Sequence, residues 1–265
     1  MNNKTESLSY IHVVKELVRT DLKIFKKIAV SKWIDMFIWI STMILVFAYI
    51  MPAFGLTKSY GAFMVASMCS TAGLFQSFSY LAELVADIEG DRVISYCFTL
   101  PIPSWLVFIR LIIYYTISFM LLGILVLPAG KLMLWNSFSL AQVSFGKYVL
   151  IFLLTNIFYA ILALWTASYV RSLLRMDSVW MRLIYPLWFL GCFQFSWKAL
   201  REVSPVLAYI DLINPITYIS EGTRAAILGQ QGSLNFWWCV LALIVFIVLG
   251  GWNAIRRLKR RLDFV

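Results

Sequence analysis

An all-α integral membrane protein with six transmembrane helices is the fold this sequence predicts, and three observations carry it. Of 265 residues, 62% are hydrophobic and 14% charged, where a soluble domain is about half apolar and a quarter charged. Five windows contain no charge: Met36 to Thr57, Ser59 to Ala82, Leu111 to Gly130, Tyr148 to Val170 and Ala225 to Ile255. Each reaches the roughly 20 residues that cross about 30 Å of hydrocarbon as a helix. The windows are also uniformly apolar, without the alternation of an outer-membrane barrel strand, so the helix is the spanning element. A sixth window, Leu183 to Trp197, has 15 uncharged residues; the heads of Arg182 and Lys198, reaching toward the interfaces, let it span as well.

Residues 1–32 read as a cytoplasmic amphipathic interfacial helix. In "YIHVVKELVRTDLKIFKKIA", Ile11, Val14, Val18, Leu22 and Phe25 recur at helical spacing, and Lys15, Arg19, Lys23 and Lys26 take the opposite face. This segment is either a topological anchor or a lever on a cytoplasmic partner. Residues 33–255 form the six-span domain and 256–265 a basic cytoplasmic tail. No cleaved signal peptide is expected, because the polar lead into the first span is far longer than a signal's charged region.

An even number of spans puts both termini on one side. Of the 23 Lys and Arg residues, only Lys58, Lys131, Lys147, Lys198, Arg201 and Arg224 fall on the other. By the positive-inside rule both ends are cytoplasmic. Topology and anionic membrane lipid then account for the net charge of +10, and no nucleic-acid partner is implied. Cys69, Cys97, Cys192 and Cys239 form no C-x-x-C pair and read as small core residues.

The link between the second and third spans, "AELVADIEGDRVISYCFTLPIPSW", is short and acidic. Glu83, Asp87 and Asp91 fall four apart, on one face of a helix that continues out of the second span. Val93 to Leu100 has room for about two turns before Pro101 and Pro103 stop it. Such an element is either a solvated helix end or a docking knob. The link before the last span, Ala199 to Asn235, is too apolar for a solvated loop and reads as one or two short helices dipping into the outer leaflet. Within it, "NPITYISEGTRAAILG" offers Asn214 as N-cap, Pro215 at the first helical position and Gly229 as a stop. Glu221 and Arg224, three apart, are placed to pair. That pair either fixes a re-entrant hairpin or forms an outer gate over an exit path.

Much chemistry is absent from the sequence. His12, the single histidine, lies before the membrane region and no G-x-x-x-x-G-K-[ST] stretch occurs, which excludes histidine-cluster metal sites and ATP binding by a phosphate loop and argues against a Ser-His-acid triad. Mid-span ionisable groups are almost lacking, so coupling to an ion gradient is not expected. What the spans offer is neutral polarity, notably Gln76, Asn156 and Gln194. These either hydrogen-bond between helices or line a substrate path.

Taken together, these parts resemble the permease subunit of type-2 ABC (ABC-2) transporters. The resemblance covers nearly the whole chain: the amphipathic N-terminal helix, six spans, "EGDRVISYCFTLPIPSW" and "NPITYISEGTRAAILG". The last is similar to the family's Asn-Pro-x-x-Tyr-x-x-Glu-x-x-Arg-x-x-x-x-Gly pattern, matched by Asn214, Pro215, Tyr218, Glu221, Arg224 and Gly229. It implies a coupling helix at about 89–103, with Glu89, Asp91, Arg92, Thr99 and Pro101 meeting an ATP-binding cassette subunit. It further implies re-entrant helices at about 199–229, a place in a bacterial inner (plasma) membrane, and a partner permease that is a second copy or a homologue. ATP and Mg would be used by the cassette subunit, with no cofactor bound by this chain. The implied function is ATP-driven export of an amphipathic, lipid-like, drug or lipid-linked glycan substrate. The alternatives are a secondary carrier, ion-independent or ion-coupled, and an intramembrane enzyme. No internal repeat and no converging acids in the spans support either.

Overall fold

The computed structural model describes residues 2–57, 59–90, 93–99, 102–135 and 138–262, and of residues 2–9 and 11 the backbone alone. Among the described residues the protein is helical and contains no strand. The helices are α1 (Asn2–Ile44), α2 (Tyr60–Glu89), α3 (Val93–Cys97), α4 (Ser104–Gly123), α5 (Val126–Met133), α6 (Phe145–Tyr169), α7 (Met176–Val179), α8 (Tyr185–Leu190), α9 (Trp197–Val203), α10 (Pro205–Asp211), α11 (Pro215–Ile227) and α12 (Phe236–Leu262). Among the described residues four stretches are long and apolar enough to cross a membrane: His12–Phe54, Ser104–Met133, Phe145–Tyr169 and Phe236–Leu262. The 30-residue α2 is long enough too, but its sequence carries Ser67, Ser70, Thr71, Gln76 and Ser77. Protein covers much of its surface, so lipid does not demand that it be uniformly apolar.

The first span and the amphipathic segment are one element. Neither Pro nor Gly occurs in Asn2–Ile44, and nothing ends the helix at the expected boundary near residue 32. Val14, Val18, Asp21, Phe25, Ala29, Met36, Ile40 and Ile44 form a buried stripe, interrupted between Ala29 and Met36 by half-buried Lys32. The apolar face of the N-terminal turns therefore packs on protein, with α4 as the main neighbour of α1. The side chain of Ile11 lies outside the described residues.

At the centre of the bundle is α6, in contact with α2, α4, α11 and α12. A missing side chain lets α2 come close to it: a Cβ on Gly73 would lie 2.6 Å from the Tyr159 ring. The Tyr159 hydroxyl donates to the Ser70 carbonyl at 2.7 Å across the same crossing. Phe75 of α2 sits among the rings of Trp39, Trp180 and Trp188, 5.3 to 6.0 Å away, tying α1 and the α7–α8 region to α2.

Three sequence expectations change in detail. The third window bends after Gly123, where α4 gives way to α5 and a Cβ would meet the Phe152 ring at 3.1 Å. The sixth window, Leu183 to Trp197, is helical only to Leu190; a π-helical turn at Trp180–Ile184 precedes α8 and irregular backbone follows it. The long link before the last span holds three short helices instead of one or two. Pro205 and Pro215 each open a helix, with Ser204 and Asn214 as side-chain caps.

Candidate functional site

The helix framed by "NPITYISEGTRAAILG" is the most buried polar element of the fold. The Asn214 side chain accepts from the Ile216 N–H at 2.9 Å, and Gly229 takes φ +95° just past the helix end. These local features fix where α11 starts and stops. Apart from Tyr218, every residue from Ile216 to Ile227 is buried, so α11 is a core element.

Glu221 and Arg224 pair on this helix, 0% and 1% exposed. Two charges taken out of water are stable only when their remaining lone pairs and protons are satisfied. The surroundings satisfy all of these but the Nε–H of Arg224, which has no partner among the described residues. Glu221 Oε1 accepts from the Trp197 N–H at 2.8 Å as well as from Arg224, and Oε2 accepts from the Leu234 N–H at 2.8 Å. Arg224 Nη1 donates to the Cys192 carbonyl at 2.7 Å and to Ser67 Oγ at 3.0 Å, and its guanidinium carbon lies 4.6 Å from the Phe63 ring centroid. One ion pair thus joins the irregular stretch after α8, the start of α9, the approach to α12, and α2.

A second group of bonds surrounds it. Asp211 Oδ2 accepts from Thr217 Oγ1 at 2.8 Å and from the Cys192 thiol at 3.1 Å. Burial raises the Asp211 carboxyl above its ordinary value, and those two bonds act in the opposite direction. Tyr60 donates to the Gln194 carbonyl at 2.6 Å, and Tyr218 to the Leu212 carbonyl at 2.8 Å. Asn214 Nδ2 donates to the Leu187 carbonyl at 2.9 Å.

The expected site residues are distributed as follows. Asn214, Pro215, Tyr218, Glu221 and Arg224 come together in this cluster. Neither charged side chain reaches a surface, so the pair lines no open path in this conformation. Gln194 reaches the cluster through its backbone carbonyl. Asn156 Nδ2 donates to the Phe152 carbonyl of its own helix, and the buried Oε1 of Gln76 has no partner among the described residues. Among the described residues no hydrogen bond joins any two of Gln76, Asn156 and Gln194. Sequence reasoning passed over Ser67, Cys192, Trp197, Asp211, Thr217 and Leu234. Asp211 was findable as one of three acids in an apolar link, with Glu202 and Glu221, and Ser67 with Ser70 as a polar pair three apart on α2. The backbone groups of Cys192, Trp197 and Leu234 carry no sequence signal.

At the opposite end of the bundle lies the expected coupling link. α2 runs on to Glu89, so that residue closes α2 and does not begin the short helix. The Asp87 carboxylate accepts from the Val93 and Ile94 N–H groups, both at 2.9 Å, and so caps α3 from the end of α2. Glu89 Oε2 accepts from the Leu173 N–H at 3.1 Å, reaching the link after α6. Thr99 closes a turn onto the Tyr96 carbonyl at 2.8 Å. Asp91, Arg92 and Pro101 lie outside the described residues. On α3, Ile94 and Cys97 are buried, while Val93 and Tyr96 are 54% and 67% exposed.

Among the described residues no group of three or more His, Cys, Asp or Glu side chains is placed to hold a metal ion. Compared with known proteins, the chain matches no family model, no curated protein and no solved structure.

Proposed function

We propose that this chain is the membrane-embedded permease subunit of an ATP-driven exporter of the type-2 ABC kind. In this reading α2 and the stretch from Met176 through α8 and its irregular continuation to Trp197 add two crossings to the four long apolar helices, giving six, with α9 to α11 as re-entrant helices on the outer side. Both termini and α3 face the cytoplasm. Two copies, or this chain and a homologue, form the conduit, and a separate cassette subunit binds and hydrolyses ATP with Mg. The cargo is amphipathic, as a conduit lined by aromatic and neutral polar side chains favours.

One observation supports this reading above the others: α3 is a short, capped helix that buries two residues and presents Val93 and Tyr96 outward. An isolated five-residue helix is not stable in water. Here the Asp87 cap, with Arg110 Nη1 lying 2.9 Å from Cys97 Sγ, holds it in place while its outer face stays unpacked. A rigid apolar knob in an acidic link suits the docking of another protein, with apolar anchors supplying affinity and charge setting register.

The test is purification from native membranes. A vanadate-sensitive ATPase is expected to accompany the wild-type chain and to be lost from a Tyr96→Glu variant, and from the Glu89→Ala, Asp91→Ala, Arg92→Ala triple variant. Nucleotide turnover that stays with both variants, or that persists with this chain as the sole protein, overturns the reading.

A further inference from the structure

At the end of the bundle that carries α3, a cavity of about 820 Å³ opens between the ends of α6 and α12. Arg171, Arg256, Arg257, Arg260 and Arg261 line it, with Ser168 and Asn253. Two of these guanidinium groups are held in place. Arg261 Nη1 donates to the carbonyls of Ala167 and Val170, closing the last turn of α6, and Arg257 stacks 3.9 Å from the Tyr169 ring centroid while donating to its hydroxyl at 2.9 Å. Among the described residues none of the five pairs with a carboxylate. Glu89, the acid whose charge reaches Arg261, accepts from the Leu173 N–H. Five like charges around one cavity repel one another, and a bound anion relieves that repulsion.

What lies beside the cavity identifies the anion. An apolar groove of about 420 Å³ runs along the same two helices, with Ile161, Trp165, Leu187, Phe246 and Leu249 among its walls. Asn253 lines both spaces. The two helices also change character at one level: the uncharged runs end at Val170 and Ile255, and Arg171 and Arg256 follow. That is where hydrocarbon meets headgroups, and where each basic residue attracts anionic lipid by roughly 1 kcal/mol. A soluble phosphate has no use for the groove, whereas an acyl chain fills it.

We propose that this cleft is a binding site for an anionic phospholipid, with the phosphate in the arginine cradle and an acyl chain in the groove between α6 and α12. The site is independent of ATPase docking, and either assignment can fail without the other.

Native mass spectrometry of the full chain in detergent tests it, with short-chain phosphatidylglycerol, short-chain phosphatidylcholine and inorganic phosphate as probes. Phosphatidylglycerol is expected to bind at least about tenfold more tightly than phosphatidylcholine. The Arg256→Gln, Arg257→Gln, Arg260→Gln variant is expected to weaken it about a hundredfold, at about fivefold per arginine. Leu249→Trp, at an exposed position that narrows the groove, weakens both lipids. Should the triple variant fail to fold, Arg171→Gln, in the link after α6, decides with an expected loss of about fivefold. Equal binding of the two lipids, or unchanged phosphatidylglycerol binding in the arginine variants, overturns the site. Displacement of the lipid by an equal concentration of inorganic phosphate overturns the lipid assignment in favour of a soluble anion.

Discussion

Asp21 of α1 accepts two hydrogen bonds from the Arg110 guanidinium of α4, at 2.6 and 2.8 Å, with both side chains 12% exposed. The remaining terminal nitrogen of Arg110 faces Cys97 of α3. Through this one fork the N-terminal helix α1, α4 and the proposed docking element are held in register. Removing the carboxylate leaves a desolvated guanidinium, so Asp21→Ala is expected to cost roughly 2–4 kcal/mol, and Asp21→Asn, which keeps an acceptor, less. Thermal unfolding of the purified chain measures the difference; equal midpoints for Asp21→Ala and wild type would remove the pair from any structural role.

The buried pair on α11 gives a sharper contrast. Glu221→Ala strands Arg224 without its counter-charge and leaves the Trp197 and Leu234 amides unpaired, at an expected cost of about 3–5 kcal/mol. A Glu221→Leu, Arg224→Leu double variant removes both charges and is expected to be more stable than the single variant. The yield of folded chain in membranes and its unfolding midpoint report the order.

Close helix approach predicts a third result. Gly73→Ala forces a methyl into the Tyr159 ring and is expected to destabilise by about 1–3 kcal/mol. Gly146, also in a helix, has open space where its Cβ would stand, so Gly146→Ala is expected to be neutral or stabilising by up to about 1 kcal/mol. Parallel unfolding curves for the two variants decide it.

The α3 cap predicts a local effect. Asp87→Ala is expected to cost about 1 kcal/mol and to speed amide exchange at Val93 and Ile94, with little change in α2 or α4. Glu89→Ala instead exposes the Leu173 amide. Residue-resolved hydrogen exchange separates the two, and unchanged protection at 93–97 would mean that Asp87 is not what holds α3.

The long helices were legible because hydrocarbon imposes one requirement, an uninterrupted apolar run, and residues such as Met36 to Thr57 meet it. The start of α11 was legible for a different reason: Asn214 and Pro215 act on their own backbone, and local chemistry is written locally. The break in the Leu183 to Trp197 run was not. Arg224 needs carbonyl acceptors, and the backbone unwinds after Leu190 to deliver those of Cys192 and Phe195, with Cys192 driven to φ 53°. Irregular backbone survives there because protein covers it. A run of apolar letters records the lipid's demand and says nothing of a distant guanidinium. The Asp21–Arg110 fork was hidden likewise, since 89 positions separate its partners.

α2 is gripped at both extremities and unbroken between them. Ser67 and Ser70 contact Arg224 and Ser220 near its beginning, and Asp87 carries α3 near its end. Thirty residues at 1.5 Å each make a strut of about 45 Å, and a strut transmits thrust along its axis without help from loops. A push on α3 is therefore expected to reach the Arg224–Glu221 pair along this one helix, which makes α2 the continuous element between the capped turn and the buried ion pair.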